Sequence, residues 1–313
     1  MMKSHTPPPL RGADFESLSP AVRKWGAFTQ HSVAVRLPAI VEATLEQNPD
    51  FRPADVARLG ALGISIRANE QIEAGRGLRW LDAPWFAAEH FFYQQLCNGL
   101  TADPFAAAKA ASLESARPIV SSPQWAAVAG RALEALDSAR LCALIRLSLW
   151  GNKADLSLSA GRAITHSTTA AREAASAAGI AHTIVDDTER LASFILRSRG
   201  ERPPAALDVG ILLDNCGLEL LSDLLLVDAL LSGEHVGPWD GVIPGDGRGC
   251  DGFYGVRKVV LFCKSAPVFV SDAMECDVQI HLTWLKENAA EWGALVAVSF
   301  VLLFTPDYII SCE

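Results

Sequence analysis

The stretch richest in chemistry is DVGILLDNCGLELLSDLLLVDALLSG, residues 208–233. Asp214 and Asn215 stand side by side and offer a carboxylate and an amide carbonyl. Two hard oxygen donors from adjacent residues suit Mg2+ or Mn2+ better than zinc. Glu219 and Asp223 follow, four apart at the start of a predicted helix, so they share one face near its positive end. A further acid, Asp272, closes the run PVFVSD. If that run is a strand parallel to the first, both carboxylates reach one crevice, where a divalent ion would keep open positions for water and phosphate. The same residues have plainer uses. An Asp between a strand and a helix caps or shapes the turn, and Glu219 taken alone is a solvated helix residue.

The elements that must hold these groups are readable around them. Val209, Ile211, Leu212 and Leu213 form a buried strand, the chain turns at Asp214-Asn215-Cys216-Gly217, and Leu220, Leu224, Val227 and Leu231 recur at helical spacing. Asp214 and Asn215 then sit at the carboxyl end of a strand, the edge at which open α/β sheets bind ligands beside helix N-termini. Gly217 lets the backbone come close to whatever binds there.

The rest of the chain divides by texture. Residues 1–18 read as an unstructured lead-in and 19–149 as an all-helical region, with Val35, Ile40, Val41 and Leu45 on one face. An aromatic helix follows, opened by Asp82 and Pro84 and closed by Asn98-Gly99. From 150 to 290, short β-branched runs (HTIV at 182–185, DVGILLDN at 208–215, RKVVLFC at 257–263, PVFVSD at 267–272) alternate with helical stretches. That alternation predicts an α/β fold with a mostly parallel sheet. Residues 234–255, dense in glycine, read as a loop insertion, and 291–313 as an apolar tail with no companion element.

Several chemistries are excluded or unsupported. The seven histidines show no H-x-x-x-H or H-x-H spacing, which argues against a zinc hydrolase. Neither a G-x-S-x-G elbow nor a G-x-x-x-x-G-K-[ST] loop is present. GDGRGCDG at 245–252 neither follows a strand nor opens a helix, so it is a plain loop. Asn152-Lys153, in WGNKADLSLS, reads either as a phosphate-facing loop or as an ordinary polar turn. The composition, 50% hydrophobic and 20% charged, is that of a globular protein, and a net charge of −9 with no basic patch argues against nucleic acid as a partner. Seven cysteines without a C-x-x-C pair point to a reduced compartment, with the cytoplasm expected. Ala294–Phe304 falls short of the roughly 20 apolar residues of a membrane span, so a membrane anchor is not expected.

DNCGLELLSDLLLVDALL resembles the D-N-x-G-x-E-x-x-x-D-L signature of the metal-dependent damage-control phosphatases, a family also described as acidic residue methyltransferases. WLDAPWFAAEHFFYQQL at 80–96, DPF at 103–105, LWGNKADLSL at 149–158 and VFVSDAMECD at 268–277 resemble its sugar-phosphate phosphatase branch, in order along the chain. The resemblance implies a three-layer α/β/α core behind a helical N-terminal region. It implies one Mn2+, Ni2+, Co2+ or Mg2+ ion held by Asp214, Asn215 and Asp272, which are then also the catalytic residues. Glu219 would line the substrate or methyl-donor pocket, and Asn152 would join Asp214, Asn215 and Glu219 in binding substrate. The implied reaction is hydrolysis of sugar phosphates such as fructose 1-phosphate and fructose 6-phosphate. The family's K-G-D-x-N-Y-R loop and R-T-x-K motif have no match after HLTWLKENAAEWG. One alternative is therefore a truncated, catalytically impaired member; the other, which rests only on the family's second description, is a protein carboxyl methyltransferase using S-adenosylmethionine.

Overall fold

The structure is a computed structural model that describes residues 30–72, 78–122, 125, 137–151, 184–197, 207–231, 256–288, 303–305 and 309–312. The lead-in 1–18, the insertion 234–255, Asn152, the first half of HTIV and the first part of the tail lie outside the described residues. Ile184 and Val185, the second half of HTIV, are exposed and form no strand. Two compact units emerge, one running to Ser112 and including Ser265–Asp272, the other taking most of the chain from Leu113 onward. The helical stretch 19–149 is thus shared between units rather than forming one region.

The first unit is helical. A π-helical segment, Ser32–Arg36, runs into α1 (Leu37–Gln47), followed by α2 (Pro53–Arg67) and α3 (Trp85–Cys97); α4 (Ala106–Ser115) begins in this unit. The wider π turn shifts the helical register, so Val33 is buried and Val35 turns to solvent, although its spacing had placed it with Ile40 and Val41. Pro53 opens α2, where its missing N–H costs nothing. Pro84 precedes α3, and Asn98 followed by Gly99 at φ +76° ends it. Ala88, Phe92, Tyr93 and Leu96 on α3 pack into a core with Leu37, Ile40, Leu59 and Trp80. Inside that core Arg36 forms a buried ion pair with Glu89.

The second unit carries the sheet. Its elements are α5 (Arg117–Val120), α6 (Ser138–Gly151), α7 (Thr188–Arg197), β1 (Leu207–Leu212), α8 (Leu218–Leu231), β2 (Val256–Phe262), α9 (Glu275–Asn288), β3 (Leu303–Thr305) and β4 (Ile309–Cys312). The strand order is β1-β2-β4-β3, with β1 and β2 parallel and in register from Val209↔Val259 to Leu212↔Phe262. β4 pairs antiparallel with β2, and β3 antiparallel with β4. The fold is α/β as expected, but among the described strands the sheet is mixed. The stretch read as a tail without companions supplies its antiparallel strands.

From Leu218 to Leu230 every residue of α8 is buried. It packs against α6 and β2, its leucines joining Val259, Leu261 and, at the edge, Val209 and Ile211. A helix buried all round needs apolar residues all round, and LELLSDLLLVDALL supplies them except at Glu219, Ser222, Asp223 and Asp228.

Candidate metal centre

The parallel pairing of β1 with β2 continues one residue past β1, where the Leu213 N–H donates to the Phe262 carbonyl at 2.8 Å. The chain then leaves the sheet, and the Asp214 carbonyl accepts the Ala273 N–H at 2.8 Å. Gly217 adopts φ +83°, a conformation that costs other residues roughly 1–2 kcal/mol. Its N–H donates to His281 Nε2 at 2.8 Å, while His281 Nδ1 lies 2.7 Å from the Asp277 carbonyl. The imidazole therefore carries its proton on Nδ1 and accepts with Nε2.

Four acidic or amide side chains meet at this turn. Asn215 Nδ2 donates to Glu219 Oε2 at 2.9 Å and to Asp214 Oδ2 at 3.1 Å. Asp214 is half exposed and receives Lys264 Nζ on Oδ1 at 2.6 Å. Asn215, Glu219 and Asp223 are buried. Burial pushes the Glu219 carboxyl up to about 7, against the Asn215 hydrogen bond and with help from the Asp223 and Asp214 charges. Asp223 also rises to about 7; burial dominates, the Ser148 hydroxyl opposes it, and Asp214 adds to it. Helix α6 approaches so closely that a Cβ on Gly151 would lie 2.6 Å from Glu219 Cα.

The structure thus brings together Asp214, Asn215, Glu219 and Asp223. Asn152, expected to bind substrate, lies outside the described residues. Asp272 belongs to the first unit, and PVFVSD forms no strand. Asp272 Oδ2 accepts the N–H groups of Val268 and Phe269 at 2.9 and 2.8 Å, donors that a strand would give to a neighbour. Phe269 meanwhile packs edge-on against Tyr93 at 5.0 Å. Residues 267–272 are therefore not the parallel strand expected to carry Asp272 beside Asp214; the Asp214 carbonyl is bonded within the second unit, to Ala273. Glu219 is buried rather than solvated.

Sequence reasoning missed Lys264, His281, Ser148 and Gly151. Lys264 carried a signal, a cation just past the end of a β-run. The partners of the other three lie 64 or more positions away in sequence; Gly151 falls within the LWGNKADLSL segment, but nothing local shows what it packs against.

The donor chemistry fits a hard divalent cation. Asp214 and Asn215 present oxygens, and the two buried acids behind them would be relieved by added positive charge. Among the described residues no group of three or more His, Cys, Asp or Glu side chains is arranged to hold an ion, so the fit rests on the Asp214–Asn215 pair. The same pair, with Lys264 at its rim, also suits an anionic substrate that reaches such a cation.

A family model described as the damage-control phosphatase ARMT1-like domain matches residues 32–237. Similar proteins named Damage-control phosphatase ARMT1 include that of Homo sapiens, 29% identical over 227 residues, which are 68% of this chain and 46% of that protein. That of Bos taurus is 27% identical over 235 residues, 71% and 48% respectively, and that of Danio rerio 27% over 249 residues, 72% and 50%. The chain spans about half the length of the curated relatives it matches. The matched region takes in β1, the Asp214–Gly217 turn and α8, and the chain belongs to the damage-control phosphatase ARMT1-like family.

Proposed function

We propose that the chain is a metal-dependent phosphomonoester hydrolase acting on small sugar phosphates such as fructose 1-phosphate and fructose 6-phosphate, working in the cytoplasm on a three-layer α/β/α core. The observation that carries this reading is the oxygen cluster at the carboxyl end of β1, with Asn215 clamped between Asp214 and the buried Glu219. Asp214 and Asn215 bind the ion, Mn2+ or one of Ni2+, Co2+ and Mg2+; the resemblance adds Asp272 as a third ligand. Such an ion, when bound, neutralises phosphoryl oxygens and lowers the pKa of a coordinated water.

The remaining chemistry belongs to side chains. Glu219 fixes the Asn215 amide by accepting its N–H. Lys264 lies with its ammonium on Asp214, and moving it to a substrate phosphate supplies a charge-assisted donor at the rim. Glu219, with its carboxyl at about 7, is poised to hold or release a proton near neutrality.

The test is phosphate release from fructose 1-phosphate by the purified chain with Mn2+, beside Asp214→Ala. Turnover abolished in the variant is the expected result. A folded wild-type chain that Mn2+ stabilises but that releases no phosphate would refute the hydrolase reading. Absence of phosphate release, with S-adenosylmethionine converted to S-adenosylhomocysteine and a carboxyl methyl ester formed on a protein substrate, would refute it in favour of methyl transfer.

A further inference from the structure

The last turn of α6 meets the first turns of α8 at two points. A Cβ on Gly151 would lie 2.6 Å from Glu219 Cα, 3.0 Å from its Cβ and 3.2 Å from its Cγ. The nearest of these atoms is backbone, which cannot swing aside like the tip of a long side chain. Gly151 is not in the left-handed region of backbone space, so the demand for glycine here is one of space rather than of conformation. Three residues earlier, Ser148 donates its hydroxyl to Asp223 Oδ1, four residues beyond Glu219. The close approach and the hydrogen bond together fix α8 against α6 at the height of both acids.

The consequence reaches the candidate ligands. Glu219 accepts from Asn215 Nδ2, and that nitrogen also donates to Asp214. Those two donations fix the roll of the amide, and with it the direction in which the Asn215 oxygen lies. We propose that Gly151 and Ser148 are positioning residues: by seating Glu219 against the Asn215 amide, they set which Asn215 atom a bound divalent ion meets. The proposal rests on the reading of Asp214 and Asn215 as ion ligands. A methyl group at position 151 must push Glu219 away, lengthening its bond from Asn215 and letting the amide turn while the fold persists.

The experiment uses the full chain with Gly151→Ala, Ser148→Ala and, as a control, Gly60→Ala, where a Cβ meets nothing within 4 Å. Two quantities are read: the Mn2+ dissociation constant by calorimetry, and the side-chain amide resonance of Asn215, assigned by its loss in Asn215→Asp. Gly151→Ala should weaken Mn2+ binding at least about tenfold and move the amide resonance. Ser148→Ala should do both to a smaller extent, and Gly60→Ala neither. If Gly151→Ala fails to fold, Ser148→Ala, which deletes one oxygen, decides. Lowered thermal stability with unchanged Mn2+ affinity and an unmoved resonance in both site variants would overturn the proposal and leave ordinary packing. A wild-type chain that binds no Mn2+ would overturn the ion reading, and the amide resonance would then decide the seating of Glu219 by itself.

Discussion

Replacing Asp223 with Asn keeps the shape of the side chain and the oxygen that accepts the Ser148 hydroxyl, and removes the charge. Burial holds the Asp223 carboxyl at about 7, against 3.8 for the unperturbed group. The folded protein therefore keeps a proton over a range in which the unfolded chain has released it. Stability from this group is fully present below about pH 4, is lost as the pH rises, and is gone once the pH has passed about 7. At about 1.4 kcal/mol per pKa unit, ionising Asp223 in the fold costs on the order of 4 kcal/mol relative to ionising it in the unfolded chain. Glu219 moves in the same direction and is common to both proteins, so the difference between variant and wild type isolates Asp223 apart from the repulsion between the two acids. Urea unfolding in chelator should find the two proteins within about 1 kcal/mol of each other near pH 4.5, with Asp223→Asn the more stable by roughly 2–4 kcal/mol near pH 8. Saturating Mn2+ should flatten the decline of the wild type, because a nearby cation favours the ionised carboxylate. Parallel pH profiles for the two proteins in chelator, or a variant less stable near pH 8, would refute the reasoning.

Three other perturbations follow from the packing. His281→Phe leaves the buried Gly217 N–H without its acceptor and should cost about 1–3 kcal/mol in urea unfolding; unchanged stability would mean that the turn does not need the imidazole. Glu89→Met removes the carboxylate that faces the buried Arg36 guanidinium and should cost about 3–5 kcal/mol, whereas combining it with Arg36→Met recovers most of that loss. A double-mutant cycle showing additive losses would contradict this coupling. Burial pushes the Cys97 thiol up to about 12, so iodoacetamide near pH 7.5 should label the exposed Cys276 and spare Cys97 until the protein unfolds; equal labelling rates by mass spectrometry would contradict the burial.

The residues that announced themselves in the sequence were those whose partners are near in the chain. Val209–Leu213 followed by a turn and by Leu220, Leu224, Val227 and Leu231 located β1 and α8, because period and turn chemistry are local, but β1 is not the buried strand expected: it alternates, with Val209 and Ile211 half-buried and Leu212 80% exposed. Pro84 and Asn98-Gly99 bounded α3 for the same reason. PVFVSD misled because its alternation imitates a strand, while the Asp272 carboxylate takes up the N–H groups of Val268 and Phe269 and Phe269 packs among helices. The antiparallel half of the sheet was hidden because Ile309–Cys312 finds its partner in β2, some fifty positions earlier. The roles of His281 and Gly151 gave no signal, although Gly151 stands in the LWGNKADLSL segment, since Gly217 and Glu219 are far away from them in the sequence.

The burial of α8 on every side bears on how the site can move. Amides of a helix with no solvent-facing edge exchange with water only when the whole unit opens, so α8 should be among the slowest-exchanging segments of the chain. Glu219 and Asp223 are then part of the rigid frame. What can yield at low cost is the partly exposed Lys264, whose departure from Asp214 breaks one surface ion pair. The adaptable part of this cluster is thus its rim, where Lys264 meets the half-exposed Asp214, and the fixed part is the helix behind it.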